Sequence, residues 1–263
     1  MKIEQIITAI EQFAPAQLQE PWDNSGLQVG DPAMECVGAL ICVDVSSAII
    51  DEACRRGCNL IVSHHPLIFK GLKHISPGDN RVEHIAYEAI RRGVAIYSAH
   101  TSLDSASSGI SNRLARMLGA LPQGPIEPKD DATTGLGCVA LYEDDLSRNE
   151  FVGHVRGILP GGSEPIRCSV GTPEQRVKRI AICGGSGGEF IPKAIALGCD
   201  TIFTSEVRYH DFVDYGHLIF IVDIGHFESE SCAKQIFYEI ISEKFANFAV
   251  YKSETEQNSI NYL

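Results

Sequence analysis

The chain has 263 residues, 44% of them hydrophobic and 21% charged, and a formal net charge of −12. That length accommodates two moderate domains with buried cores, and the composition excludes a disordered or fibrous polypeptide. The acidic balance, with no Lys/Arg run, argues against a protein whose affinity comes from coating nucleic-acid phosphates.

At the N-terminus, acidic residues interrupt the apolar pattern of MKIEQIITAIEQFA, so a signal-peptide core is not expected. No stretch approaches the roughly 20 apolar residues that span a bilayer, and the expected location is cytoplasmic. Residues 3–13 repeat apolar positions at helical spacing and stop before a proline, which predicts a first helix. EPWDNSGLQVG follows, a stretch of turn formers with the only tryptophan. The runs VGALICVDV, CNLIVSHH and VAIYSAH are short, apolar and β-branched, and they alternate with helical patterns at 47–57, 81–92 and 107–118. Such a rhythm predicts a largely parallel sheet covered by helices.

Proline, glycine and charge cluster in PQGPIEPKDDATTG (122–135), which reads as a linker. Residues 136–177 read as strand, helix and strand, with a second break at GILPGGSEP. From 178 the rhythm of the first half returns, and the chain closes with a helix in SCAKQIFYEIISEKF and a strand in FAVYKSE. The expected fold class is α/β with two similar domains. The first comprises 1–125 plus 231–263, and the second, 126–230, is inserted into it.

Two segments resemble each other. Shifting ALICVDVSSAIIDEACRRGCNLIVSHH by 141 positions onto RIAICGGSGGEFIPKAIALGCDTIFTSE matches Ile41 with Ile182, Cys42 with Cys183, Gly57 with Gly198 and Cys58 with Cys199. A shift of 126 lays IYSAHTSLD over VDIGHFESE, superposing His100 on His226 and Asp104 on Glu230. This pattern suggests an internal duplication with one metal site in the cleft between the two domains. The nine cysteines fit no small secreted disulfide scaffold. Cys42, Cys138, Cys168 and Cys183 lie in or beside strand-like runs and read as small buried hydrophobes. Gly57 separates Cys54 from Cys58 as a ligand pair.

Carboxyl ends of parallel strands form the crevice where ligands bind, and SHHPLIF puts two histidines there. Neighbours on an extended chain point to opposite sides, so His64 and His65 are expected to serve two adjacent ions, or one ion and its outer partner. His100 with Asp104, and His226 with Glu230, are spaced to share one helix face. Together His64, His65, Asp104, His226 and Glu230 form a metal-ligand set whose imidazoles and carboxylates suit Zn, Fe or Mn over Ca or Mg. His100 reads as a residue that orients a ligand or carries protons. His74, His84, His154 and His217 read as ordinary hydrogen-bonding residues.

ICGGSGG (182–188) reads either as an anion cradle at a helix N-terminus or as a tight strand-to-helix turn. In TSEVRYH, Glu206, Arg208 and His210 are candidate substrate contacts.

PWDNSGLQVG, SHHPLIF, AHTSLD, CGGSG, TSEVRYH and DIGHFESE, in that order, resemble the Nif-three-like proteins, also called GTP cyclohydrolase 1 type 2 homologues. The resemblance covers essentially the whole chain. It implies two similar α/β domains with a dinuclear metal centre in the cleft between them, its ligands falling on His64, His65, Asp104, His226 and Glu230. It also implies a homohexameric ring with the metal sites facing an inner cavity. Two departures stand out: Ser205 and Glu206 replace the glycine and aspartate of the family's TGD-like segment, and the inserted domain of longer members is lacking. The expected function is a metal-dependent hydrolase that acts on a nucleotide-like substrate with two divalent ions per subunit, His100 carrying protons. The alternative is a non-catalytic metal-binding scaffold or regulator acting through protein partners.

Overall fold

The apolar runs ALIC, LIVS and AIYS lie side by side as parallel strands in which every residue is buried, the pattern of a sheet covered on both faces. They belong to a computed structural model that describes residues 1–159, 165–172 and 174–261. Residues 160–164 of the GILPGGSEP break lie outside the described residues. Internal contacts divide the chain into two compact units: Met1–Ala106 with Ala233–Ser259, and Ser107–Cys232 with the residues from Ile260 on.

In chain order, the first stretch forms α1 (Ile3–Phe13), β1 (Gly26–Val29), β2 (Ala39–Cys42), α2 (Ser47–Arg55) and β3 (Leu60–Ser63). It continues through α3 (Arg81–Arg92), β4 (Ala95–Ser98) and the single turn α4 (Thr101–Asp104). The next part contains α5 (Ile110–Met117), β5 (Leu121–Gly124), a hairpin of β6 (Glu127–Pro128) and β7 (Gly135–Leu136), β8 (Cys138–Ser147) and α6 (Arg148–Ile158). There follow β9 (Arg167–Cys168), β10 (Arg176–Ser186), α7 (Ile191–Ala196), β11 (Thr201–Ser205), α8 (Tyr209–Tyr215), β12 (Phe220–Asp223) and the short α9 (His226–Glu230). The chain then adds α10 (Ala233–Lys244) and β13 (Val250–Lys252) to the first unit.

The first unit's sheet has the order β1-β4-β3-β2-β13, with β13, β2, β3 and β4 parallel and β1 antiparallel to β4. Leu40, Cys42, Ile61 and Ile96 pack with Ile49, Ile50, Ala53, Ile85 and Ala89, so α2 and α3 cover one face. α10 packs on β2, β13 and α1. Local signals agree with this arrangement: the Ser46 hydroxyl caps α2, Asn80 caps α3, and Gly93 ends α3 in the left-handed conformation.

The second unit's main sheet has the order β5-β8-β10-β11-β12-β9. β10, β11 and β12 are parallel, while β8 and β9 run antiparallel to β10 and β12. Ala181, Cys183, Ile202 and Ile221 pack with Phe190, Ile191 and Ala194. Phe151 of α6 meets the rings of Phe203 and Phe220 at 6.4 and 6.5 Å. Both units therefore contain the succession strand, helix, strand, helix, strand, with the three strands adjacent and parallel.

Three local expectations change. The turn-rich EPWDNSGLQVG contains the edge strand β1, and the proposed linker at 122–135 contains β5, β6 and β7. β1 and β5 lie at sheet edges, where glycine and proline are tolerated because fewer ladder bonds are required. Cys42, Cys138 and Cys183 are buried, but Cys168 is exposed because β9 is a two-residue edge strand.

The C-terminal segment is tied to α2 through Glu52, whose side chain is 3% exposed. Its carboxylate accepts hydrogen bonds from the Ser253 and Thr255 hydroxyls (both 2.6 Å), the Glu254 and Thr255 amides, and Arg56 Nε. Burial opposes ionisation, yet these donors bring the pKa down from 4.5 to about 2. A depressed folded-state pKa contributes stability above the unfolded value, and this is lost as pH falls from 4.5 towards 2. Glu52→Gln should therefore cost about 1–3 kcal/mol at neutral pH, with the gap to the parent closing across that acidic window in denaturant titrations. A pH-independent gap would refute this account of the tail's attachment.

Candidate metal centre

β3 ends at Ser63, and the chain bends at once through His64 and His65. Their amides donate to the carbonyls of Cys42 (3.2 Å) and Val43 (2.9 Å), which prolongs the β2–β3 pairing and fixes both backbones at the strands' carboxyl edge. Strand alternation predicts opposed rings, but the bend removes it. The two ring centroids lie 4.9 Å apart, and His100 lies 5.3 and 5.4 Å from them. Each of the three can offer a ring nitrogen, and these atoms all lie within 4.8 Å of one another. Two buried hydroxyls brace the bend. Ser63 and Ser98, paired across β3 and β4, have their hydroxyls 2.7 Å apart and 2.8 and 3.2 Å from the His65 carbonyl, so one hydroxyl donates to the other, which donates to that carbonyl.

Every ring in this cluster has an acceptor at Nδ1. His64 Nδ1 meets the Ala99 carbonyl (3.1 Å), His65 Nδ1 meets Asp44 Oδ1 (3.0 Å), and His100 Nδ1 meets Asp23 Oδ1 (2.8 Å). A carbonyl oxygen only accepts, so His64 must carry its proton on Nδ1, which leaves Nε2 with the lone pair. Ionised carboxylates impose the same tautomer on His65 and His100. The Asp23 side chain is fully buried, and burial alone would raise its pKa. Hydrogen bonds from His100 and Thr101 overcome that penalty and hold the carboxyl well below the usual carboxylate range. Imidazoles tied back in this way are typical of metal ligands.

Asp104 closes the single turn α4, with its amide donating to the His100 carbonyl. One carboxylate oxygen lies 3.8 Å from His64 Nε2, too far for a hydrogen bond and a separation that suits two donors on one ion.

The second unit repeats this logic at α9. His226 Nε2 lies 3.0 Å from Glu230 Oε2, and its Nδ1 lies 3.1 Å from Glu206 Oε1. Glu206 is the only non-glycine with a positive φ (56°) among the described residues, a backbone strain of about 1–3 kcal/mol. Asp223, at the end of β12, bonds the amides of Val207 and Gly225 and so holds the backbone beside both Glu206 and His226. Glu230 is 2% exposed and leans on Gly185: a Cβ there would stand 2.2 Å from Glu230 Oε1 and 3.5 Å from His226 Nε2. The glycine motif leads from the end of β10 into a 3₁₀ turn at Gly188–Phe190, the tight strand-to-helix turn that is one of its two sequence readings. Its Ile182–Ser186 portion continues β10 with a shift in register, and bare backbone leaves room for the carboxylate.

Of the candidate substrate contacts, Glu206 is 55% exposed and turned towards His226. Arg208 is 82% exposed and pairs through Nε and Nη2 with Asp211, while exposed His210 stands edge-on to Tyr209. Sequence reasoning passed over Asp23, in the turn-rich PWDNSG, and Asp44, at the end of the VGALICVDV run, and it considered Gly185 only as part of a cradle or turn. The donor set, imidazole nitrogen with carboxylate oxygen, fits Zn, Fe or Mn in each unit. His64, His65, His100 and Asp104 are the candidates in the first unit, and His226 and Glu230 in the second.

Comparison with known proteins adds an independent line. The profile of the Duf34/NIF3 (NGG1p interacting factor 3) family matches residues 1–259. A Clostridium perfringens protein called GTP cyclohydrolase 1 type 2 homolog is 35% identical over 88% of this chain and 87% of its own. A Lactococcus lactis protein of the same name is 31% identical over 98% of both chains. Among solved structures, a hypothetical protein of Staphylococcus aureus superposes with a TM-score of 0.89 at 25% identity, covering 100% of this chain and 99% of its own. A Bacillus cereus protein related to NIF3 superposes at 0.84 and 22% identity, with the same coverage.

Two substitutions test the arrangement by zinc affinity in chelator competition. Asp44→Asn removes the carboxylate acceptor behind His65 and should weaken zinc binding about 10–100-fold while the protein stays folded. Gly185→Ala should weaken it at least tenfold by displacing Glu230. Unchanged affinity in both, with circular dichroism intact, would remove these residues from the centre.

Proposed function

The chain belongs to the Duf34/NIF3 family, and on that premise we propose that it is a metal-dependent hydrolase acting on a nucleotide-like substrate. The observation that carries the reading is the first unit's three histidines, all with Nδ1 engaged and with ring nitrogens within 4.8 Å of one another. Such tied-back imidazoles beside a carboxylate serve a cation better than they serve the fold. In this reading His64, His65, Asp104, His226 and Glu230 hold two divalent ions. Bound ions of this kind lower the pKa of water to about 7 and polarise the group under attack.

The chain's own residues do the remainder. Asp23 orients His100 and, by holding its Nδ1 proton, leaves Nε2 to take up a proton from the attacking water. Asp44 and the Ala99 carbonyl fix His65 and His64. Glu206 orients His226, and exposed Arg208 and His210 contact the substrate from the start of α8. The relatives' name directs the proposal to a guanine ring. There, one water opens the ring across C8 to a formamide, and a second hydrolyses that formamide to formate and a free amine, with no oxidant required. Assembly as a hexameric ring belongs to the same proposal and is supported by the family resemblance alone.

The test is metal analysis of protein purified without added ions, followed on the same sample by formate release from GTP and other nucleotides. We expect bound Zn, Fe or Mn, turnover that chelation abolishes and the metal restores, and loss of both in His64→Ala and Glu230→Gln. Loaded protein that releases nothing from any nucleotide would sink the hydrolase reading and leave a metal-holding scaffold.

A further inference from the structure

Beside the histidine cluster, the first unit exposes two large aromatic side chains that its core does not use. Trp22 is 58% exposed and Phe69 47%. Their ring centroids lie 5.9 Å apart, and they stand 6.0 and 6.3 Å from the His100 ring. The segments that carry them are tied together. Asn24 Nδ2 donates to the Ile68 carbonyl (2.6 Å), the Ile68 amide donates to Gln28 Oε1 (3.1 Å), and Gln28 Nε2 returns to the Asn24 carbonyl (2.7 Å). Exposed aromatics on a doubly fastened backbone form a prebuilt platform, the arrangement on which flat rings stack.

Phe69 is also one wall of a cavity of about 540 Å³, within the range of small-molecule sites. Lys70, Lys73, His74 and Arg81 line it, against the single carboxylate of Glu83. In a chain of net charge −12 such a local excess of cations is unusual. Arg81 is held in place by donation from Nη1 to the Val45 carbonyl at 2.8 Å. The Val82 and Glu83 amides in the first turn of α3 are already taken by the Asn80 side chain, so an anion here would be met mainly by side-chain cations.

We propose that Trp22 and Phe69 form a stacking platform for a planar heteroaromatic ring, and that Lys70, Lys73 and Arg81 receive a phosphate arm on that ring. The assignment rests on the hydrolase reading only for its link to turnover. It specifies where the ring lies, beside His100, and which wall selects phosphorylated over unphosphorylated ligands.

Trp22 is the only tryptophan, so its intrinsic fluorescence reports the platform directly. The full-length protein, metal-loaded and chelated, is titrated with GTP, GMP, guanosine and inorganic triphosphate. Both nucleotides should quench the emission at least tenfold more tightly than guanosine, and triphosphate alone should produce little quenching. The Lys70→Ala/Lys73→Ala variant should erase the nucleotide-over-nucleoside preference, while Phe69→Leu should weaken all ring-bearing ligands about tenfold. Metal content should be unchanged in both variants, which separates this result from failure of the metal centre. Equal quenching by guanosine and GTP, or variants that bind as the parent does, would overturn the proposal even if the protein hydrolyses nucleotides. Selective quenching without turnover would keep the platform and dismiss the hydrolase.

Discussion

The constraint on which the site depends is the hydrogen bond behind each histidine. A free imidazole divides its proton between two nitrogens, whereas a ring with an acceptor at Nδ1 has its lone pair committed to Nε2. In the first unit the acceptors are of three kinds: a backbone carbonyl behind His64, an exposed carboxylate behind His65 and a fully buried one behind His100. The carbonyl settles its case absolutely, since it cannot donate. Asp23 does so electrostatically, because its carboxyl is kept ionised against the cost of burial.

The fold supplies these acceptors cheaply. Parallel β2, β3 and β4 end at one edge, so the residues just beyond them, Asp44, His65 and Ala99, come together without long loops. Asp23 arrives by another route, on the segment leading into the antiparallel edge strand β1. It binds the amide and hydroxyl of Thr101 as well as the His100 ring, so the start of α4 and the orientation of a histidine depend on one carboxylate. In the second unit Asp223 has the comparable organising role beside Glu206 and His226, and Gly185 leaves space where any side chain would meet Glu230.

Much of this was legible in the sequence. Short β-branched runs followed by histidine identified the parallel strands and their carboxyl edges, and a spacing of four marked the single turns in which His100 precedes Asp104 and His226 precedes Glu230. What stayed hidden depended on tertiary geometry. Alternation along a strand set the His64 and His65 rings apart, but the chain had already left the strand. Asp23 looked like one more turn former, and ICGGSGG could be read as an anion cradle or a tight turn because glycine spacing does not reveal which side chain needs the room. Cys168 followed its apolar neighbours in the sequence, yet a two-residue edge strand leaves it exposed.

The most direct measurement of the central claim is the protonation site of the imidazoles in metal-free protein at neutral pH, read from nitrogen-15 chemical shifts and long-range couplings of labelled histidine. The account predicts that Nδ1 of His64, His65 and His100 carries a proton. Nδ1 without a proton in these rings, or rapid exchange of that proton between the two nitrogens, would contradict it.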